Sequence, residues 1–282
     1  MIIDLHTHSH YSPDGKLSIP ELLGVYSAGD IVALTDHETI AGWTEFKEEA
    51  RKRCIRPMLG VEWMIKNCCH ILSYFVSEIP QNFKDFMTER RDKERYAMRL
   101  LYERVKVLYP SLSSYENILL SKAHPENILG MAALADDVSH VSQIDFKEAV
   151  GLLRDIKGKL PDNNKPTTFF ASELIEKIRE WNGISVLAHP FKNSLGKSGR
   201  QSREDVAVKI SELAGFGIAG VELFSEGSNL AELDFLLVLS KKFGLIVSIG
   251  SDYHSQEKGL EPAVLEKLEE SVKDEVIKWL DH

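Results

Sequence analysis

Two stretches of this chain pair ligand-competent side chains at a spacing that chemistry can use. Asp4-Leu-His6-Thr-His8 lies near the start and Asp252-Tyr-His254 near the end. Side chains alternate in an extended segment, so His6 and His8 share one face, as do Asp252 and His254, and each pair can reach one ion. Between the pairs, His37, His70 and His189 stand at the edges of short β-branched apolar runs, with carboxylates in similar places at Asp14, Asp36 and Glu62. A lone buried histidine is usually a hydrogen-bonded core residue. Clustering at the ends of several strands is what points to a metal site, and mixed imidazole and carboxylate donors suit Zn, Mn or Fe.

Such a site needs a scaffold that brings distant stretches to one rim. Short apolar runs at 2–5, 31–34, 58–61, 71–76, 184–188, 218–223 and 245–249 read as strands. Amphipathic stretches read as helices, the first from the Ser18-Ile-Pro-Glu21 capping box to about residue 29, others at 44–53, 172–181, 204–216, 230–243 and 262–280. This is the alternation of a parallel sheet, and the strands are short enough to be barrel staves whose C-terminal ends converge on one face. Between 77 and 170 the alternation stops and helical periods take over, at 82–107, 128–138 and 146–156. The expected architecture is α/β, with residues 1–76 and 171–282 forming the barrel and 77–170 a helical insertion that caps the active site. His70 opens its strand instead of following it, so it reaches the common rim only if that strand is antiparallel or short and local.

Composition narrows the partners. The chain has 282 residues, 43 % hydrophobic and 27 % charged, with a formal charge of -9. That balance excludes a disordered tail and supplies no positive field for gripping long duplex nucleic acid. No apolar run approaches the roughly 20 residues that span a bilayer, and the N-terminus lacks a signal-peptide core, so the cytoplasm is the expected location and no membrane partner is expected. The three cysteines, Cys54, Cys68 and Cys69, make no disulfide framework and are expected to be free thiols, the last two buried in the fourth strand.

The segments Asp4-Leu-His-Thr-His-Ser-His-Tyr-Ser-Pro-Asp-Gly15, Leu34-Thr-Asp-His37, Gly60-Val-Glu62, His70-Ile-Leu-Ser-Tyr74, Ala188-His-Pro190 and Gly250-Ser-Asp-Tyr-His254 together resemble the PHP family, named for the polymerase and histidinol phosphatase proteins that carry the domain. The resemblance implies a distorted (βα)7 TIM-like barrel holding two to three divalent ions (Mn, Fe or Zn). Carried over by position, one ion takes His6, His8, Glu62 and Asp252, a second takes Asp14, His37 and His254, and a third shares Glu62 and adds His70 and His189. Glu62, His70 and Asp252 form the implied catalytic set. Asp14 and the helical insertion resemble the branch that acts on nucleotide and oligonucleotide phosphates more than the histidinol-phosphate phosphatases. His10, Pro13, Trp63 and Ser73 depart from the commoner residues and bear on the shape of the pocket.

A cluster of such ions lowers the pKa of a shared water from about 15.7 toward neutrality and clamps phosphoryl oxygens. The expected activity is therefore hydrolysis of a phosphate ester of a nucleotide, a short oligonucleotide end or another small phosphorylated molecule, by a metal-bound hydroxide at a trinuclear centre. For the substrate phosphate, Arg91, Arg95 and Arg99 recur every four residues on one helix face, and Lys192 and Arg200 flank Gly196 and Gly199 in a basic loop after His189. The plainer reading of the arginine stripe is a solvated face paired with Glu89, Glu94 and Glu103. Three alternatives remain open: a histidinol-phosphate-type phosphatase, a metal-stabilised interaction module, and a metal-dependent amidohydrolase, which a lysine at a strand end would favour and the sequence lacks.

Overall fold

The short apolar runs pair into one sheet of seven strands, in the order of the chain. In the computed structural model they are β1 (Ile3–Thr7), β2 (Ile31–Leu34), β3 (Arg56–Met64), β4 (His70–Phe75), β5 (Ile184–Leu187), β6 (Gly220–Phe224) and β7 (Ile246–Ile249). The structure describes all residues except 67–68, 122–128, 162–165, 167, 193–199, 225–227, 256, 258–261, 263–264, 266–269 and 281–282. Neighbouring strands are parallel except β4, which is antiparallel to both β3 and β5. β1, β2 and β6 are buried at every position; β2 is apolar throughout, as a strand covered on both faces should be, while β1 buries Asp4, His6 and Thr7 and β6 buries Glu222.

The sheet curls until its first and last strands meet at the rim. Thr7 forms a parallel bridge with Tyr253. His8 N donates to Tyr253 O at 2.9 Å, and Asp252 N donates to His6 O at 2.9 Å. The result is a nearly closed, distorted TIM-like barrel whose seam passes through the ligand-bearing residues themselves.

Around the strands run α1 (Ile19–Leu23), α2 (Trp43–Lys52), α7 (Ala171–Glu180), α8 (Arg203–Gly215), α9 (Leu230–Phe243) and α10 (Glu270–Leu280), while α3 (Gln81–Leu108), α4 (Tyr115–Ser121), α5 (Met131–Ser142) and α6 (Phe146–Gly158) lie between β4 and α7 in the chain. By its packing the chain divides into two compact units, Met1–Phe83 with Thr168–His282, and Lys84–Thr167. The second unit has a core of its own, with Leu101 and Val105 of α3 packed among Leu134 and Val138 of α5 and Leu153 of α6. None of the described helices is long and apolar enough to cross a membrane.

Some elements differ from the sequence reading for identifiable reasons. The first helix keeps its capping box, both Ser18–Glu21 bonds being present, but ends at Leu23. The residues after it turn back instead, with Ser27 N donating to Asp30 Oδ2 and Gly29 at φ 89°. β3 runs past Glu62 to Met64 because the antiparallel β4 gives those residues a partner, in the register Met64 to His70. Cys69 lies in the turn before β4, not in the strand, and Cys68 lies outside the described residues.

Candidate metal centre

The antiparallel β4 is what admits His70 to the site. Met64 ends β3 and pairs with His70, so the start of β4 sits at the rim where the parallel strands finish. Ala188 N then donates to His70 O at 3.1 Å, which sets His189 beside it. Beyond β2 the chain still follows β3, with Glu62 N donating to Thr35 O at 3.2 Å and Glu38 N to Glu62 O at 3.0 Å, so His37 bridges to Glu62. Two of the gathered residues hold left-handed backbones, His189 at φ 26° and Asp252 at φ 55°. Such conformations cost about 1–3 kcal/mol each and persist where the surroundings over-determine them.

Glu62 stands at the centre. Its Oε2 lies 3.1 Å from His6 Nε2, 3.1 Å from His8 Nε2 and 3.3 Å from His37 Nδ1. Its Oε1 lies 2.8 Å from His70 Nδ1 and 2.9 Å from His189 Nε2. Asp252 Oδ1 adds a second carboxylate, 3.5 Å from His6 Nε2 and 3.4 Å from His8 Nε2. On the other side of His8, whose ring stacks on His254 at 4.1 Å, Asp14 Oδ2 lies 3.2 Å from His254 Nε2 and 3.7 Å from His37 Nε2. Three groups each bring one ligand atom per residue within 4.8 Å of one another: His6, His8, Glu62 and Asp252; His8, Asp14, His37 and His254; and His37, Glu62 and His70.

A direct observation shows that these side chains fit divalent ions. His6 Nε2, His8 Nε2, His37 Nδ1, His254 Nε2 and Glu62 Oε2 are buried and make no hydrogen bond. Polar atoms this close that do not bond one another aim at shared points. Ligands about 2.0–2.2 Å from one ion at tetrahedral or octahedral angles are themselves about 2.8–3.6 Å apart, close to the separations seen here.

The far sides of the rings are fixed as metal ligands require. His254 Nδ1 donates to Asp252 O at 2.7 Å. Ser12 Oγ donates to Asp14 Oδ1 at 3.0 Å and so accepts from His8 Nδ1 at 3.3 Å. His6 Nδ1 donates to Glu222 Oε1 at 3.0 Å. In each ring it is Nε2 that faces the cluster.

Burial pushes the His37 imidazole down to about 4, so it is neutral at pH 7. In His8 burial works the same way, but Asp252 and Glu62 overrule it and hold the ring at about 9. The metal-free His8 therefore carries a proton at pH 7 that a ligand must give up. Mn(II) binding is expected to release it, with apparent affinity climbing as pH rises toward about 9. Calorimetry at pH 7 in two buffers of different ionisation enthalpy measures this, and identical heats would contradict it. For the metal-free fold the sign is opposite: the raised pKa stabilises it fully below the unfolded value of 6.5, and that gain is lost as pH passes about 9.

The expected substrate residues fall in different places. Lys192 Nζ reaches Asp252 Oδ2 at 2.5 Å, although Lys192 lies five residues beyond the end of β5. The guanidinium of Arg200 is held in a bidentate pair by Glu232, at 3.1 and 2.6 Å. In the second unit Arg91 and Arg95 each pair with Asp92 of their own helix, at 3.6 and 3.4 Å.

Sequence reading passed over Glu222, Asp4 and Ser12. Asp4 is buried and accepts from Ser251 N, Ser251 Oγ and Tyr26 Oη at 2.9, 2.6 and 2.7 Å, which braces the seam beside His6. The available signal was a carboxylate inside an otherwise apolar strand, as in Gly220-Val-Glu222-Leu-Phe224.

Comparison with known proteins agrees with this geometry. The model of the PHP domain matches residues 4–180. The chain is 27 % identical over 263 residues to a 5'-3' exoribonuclease of Haemophilus influenzae, covering 89 % of each chain. It is 24 % identical over 275 residues to a 3',5'-nucleoside bisphosphate phosphatase of Chromobacterium violaceum, covering 91 % of this chain and 88 % of the other. Two solved structures share the fold, each with a TM-score of 0.64: a Bifidobacterium adolescentis protein described as a candidate metal-dependent phosphoesterase, 21 % identical over 91 % of this chain and 88 % of the other, and a Chromobacterium violaceum protein described as an amidohydrolase, 19 % identical over 93 % and 90 %. With this match spanning more than half of its length and this set of ligand-competent side chains at one rim, the chain belongs to the PHP domain family of metal-dependent phosphoesterases.

Proposed function

We propose that this phosphoesterase hydrolyses the phosphate ester of a nucleotide, a short oligonucleotide end or a similarly small phosphorylated molecule, at a centre of two to three divalent ions. The observation that carries the reading is the set of buried, unbonded ligand atoms around Glu62. One ion is assigned to His6, His8, Glu62 and Asp252, a second to Asp14, His37 and His254, and a third to Glu62, His70 and His189. Ions held there lower the pKa of bound water and neutralise the phosphoryl oxygens, and Mn, Fe and Zn all suit these donors.

The chain's own residues prepare that chemistry. Glu222, Ser12 and the Asp252 carbonyl keep the Nδ1 protons of His6, His8 and His254 on the outer side of each ring. Glu62 and Asp252 concentrate negative charge where the cations sit. Lys192, with its side chain 39 % exposed, is the cation placed to leave Asp252 and meet a substrate phosphate. The carboxylate that pairs with Lys192 is itself assigned to an ion, whereas Arg200, Arg91 and Arg95 pair with Glu232 and Asp92, which are assigned to none, so Lys192 is the leading phosphate contact among the four. The nucleotide reading is supported by the named activities of the two relatives, both of which match this chain over most of its length.

The test is a substrate panel. Protein loaded with Mn(II) is expected to release phosphate or mononucleotides from nucleoside bisphosphates or short 5'-phosphorylated RNA, with kcat/KM well above that for sugar phosphates. A panel in which nucleotide mono- and bisphosphates, short RNA and sugar phosphates all stay intact overturns the reading.

A further inference from the structure

Glu222, a carboxylate assigned to no ion, bonds through its two oxygens to residues assigned to two different ions. Its side chain is fully buried on β6. Oε1 accepts from His6 Nδ1 at 3.0 Å, and Oε2 accepts from the backbone N of His189 at 2.6 Å. The first bond fixes the ring of a ligand on β1. The second fixes the peptide that holds His189 at its left-handed φ of 26°. Space is also fixed, because a Cβ on Gly250 would lie 2.8 Å from Glu222 Oε1 and 2.3 Å from His6 Cβ.

We propose that Glu222 is the positioning residue that couples the ion held by His6 to the ion held by His189, so that the two positions gain or lose affinity together. This rests on the ion assignments given above. The chemistry requires a carboxylate, since both partners are N–H donors and each uses its own oxygen. A glutamine has one oxygen and one NH2 group, so it must turn a donor toward a donor on one side. Facing His6, the NH2 group would draw a lone pair to Nδ1, move the ring proton to Nε2 and remove that nitrogen as a ligand. Facing His189, it would leave a buried backbone N–H unpaired beside the third position. Either orientation damages one ion site directly and the other through the shared side chain.

The experiment compares wild type and Glu222→Gln by Mn(II) titration calorimetry, metal content after gel filtration, and thermal unfolding of the metal-free proteins. Partners of metal ligands typically govern affinity by about 10–100-fold. The expected result is a loss of that size in Mn(II) affinity, a drop in bound metal of more than one ion per chain, and metal-free unfolding within a few degrees of wild type. Mn(II) binding at wild-type affinity, loss of a single ion only, or a variant already unfolded without metal overturns the proposal. A second measurement needs no variant: in the Zn(II)-loaded wild type, nitrogen-detected imidazole spectra are expected to place the His6 proton on Nδ1, and a proton on Nε2 overturns it. A wild type that takes up no metal overturns this proposal and the functional reading together. A wild type that binds and hydrolyses beside an equally competent Glu222→Gln overturns this proposal alone.

Discussion

Glu62→Gln is expected to abolish turnover while leaving the chain folded. The substitution keeps the shape of the side chain but removes its charge and gives one of its two oxygens the wrong polarity. Five imidazoles lie within 3.3 Å of that carboxylate, His6, His8 and His37 at Oε2, and His70 and His189 at Oε1. Glu222 also links the two sets, but through His6 Nδ1 and the His189 backbone N and not through the ring nitrogens that face the cluster. Burial would raise the Glu62 pKa, yet His37, His6 and His70 hold it well below the usual carboxylate range, so it is an anion at any working pH. In the proposed assignment, replacing the anion raises the cost of placing two cations beside each other and removes a ligand from both. Loss of a ligand's outer partner alone typically costs about 10–100-fold, so loss of a shared ligand is expected to exceed a hundredfold in kcat/KM. The stabilisation that bound metal confers, about 4.1 kcal/mol for a ligand at a thousand times its Kd, should vanish with it. Thermal unfolding with and without Mn(II) reads that difference. Cys69→Ala is the control, a buried neighbour of His70 that supplies no ligand in this reading. Comparable losses in the two variants would show that Glu62 is not shared.

Much of this arrangement was legible in the sequence because it is local. β2 and α9 follow from uninterrupted apolar periods and end where the reading put them. The Ser18–Glu21 box announced a helix start, since both of its bonds lie within four residues. His6 and His8 fall on one face because the strand period is two. What the sequence hid depends on contacts between distant segments. β3 continues past Glu62 only because β4 runs back along it, and nothing between residues 56 and 64 encodes that partner. The direction of β4 likewise had to be known before His70 could be placed at the rim. Glu222 and Asp4 stood out as carboxylates inside strands, but their roles were hidden for a further reason. A carboxylate inside a strand faces either a helix layer or the barrel axis, and the choice is decided when β1 and β7 meet at Thr7 and Tyr253. Lys192 teaches the converse lesson, for a lysine well past a strand end still reached a ligand.

The seam also makes one glycine as demanding as a ligand. Gly250→Ala is expected to weaken Mn(II) binding more than a hundredfold and to lower the unfolding temperature. Gly250 ends the run from β7 that faces β1 and β6, and its missing side chain is the space in which His6 and Glu222 meet. A Cβ there would lie 2.3 Å from His6 Cβ, 2.9 Å from His6 N and 2.8 Å from Glu222 Oε1. Real Cβ atoms do not approach other heavy atoms that closely, so strand β1 must yield. Overpacking of a buried site costs about 1–3 kcal/mol. The functional loss should be larger than the stability loss, because a shift of about 1 Å in positioned groups can cost about a hundredfold. His6 cannot retreat alone, since its carbonyl accepts from Asp252 N at 2.9 Å and any movement carries a second ligand with it. Gly151→Ala supplies the control, on α6 with nothing within 4 Å of the added methyl, where the change should leave activity intact. Measured well below the unfolding temperature, a Gly250→Ala protein that binds Mn(II) as tightly as wild type would mean that the His6, Glu222 and Asp252 geometry does not govern the metal.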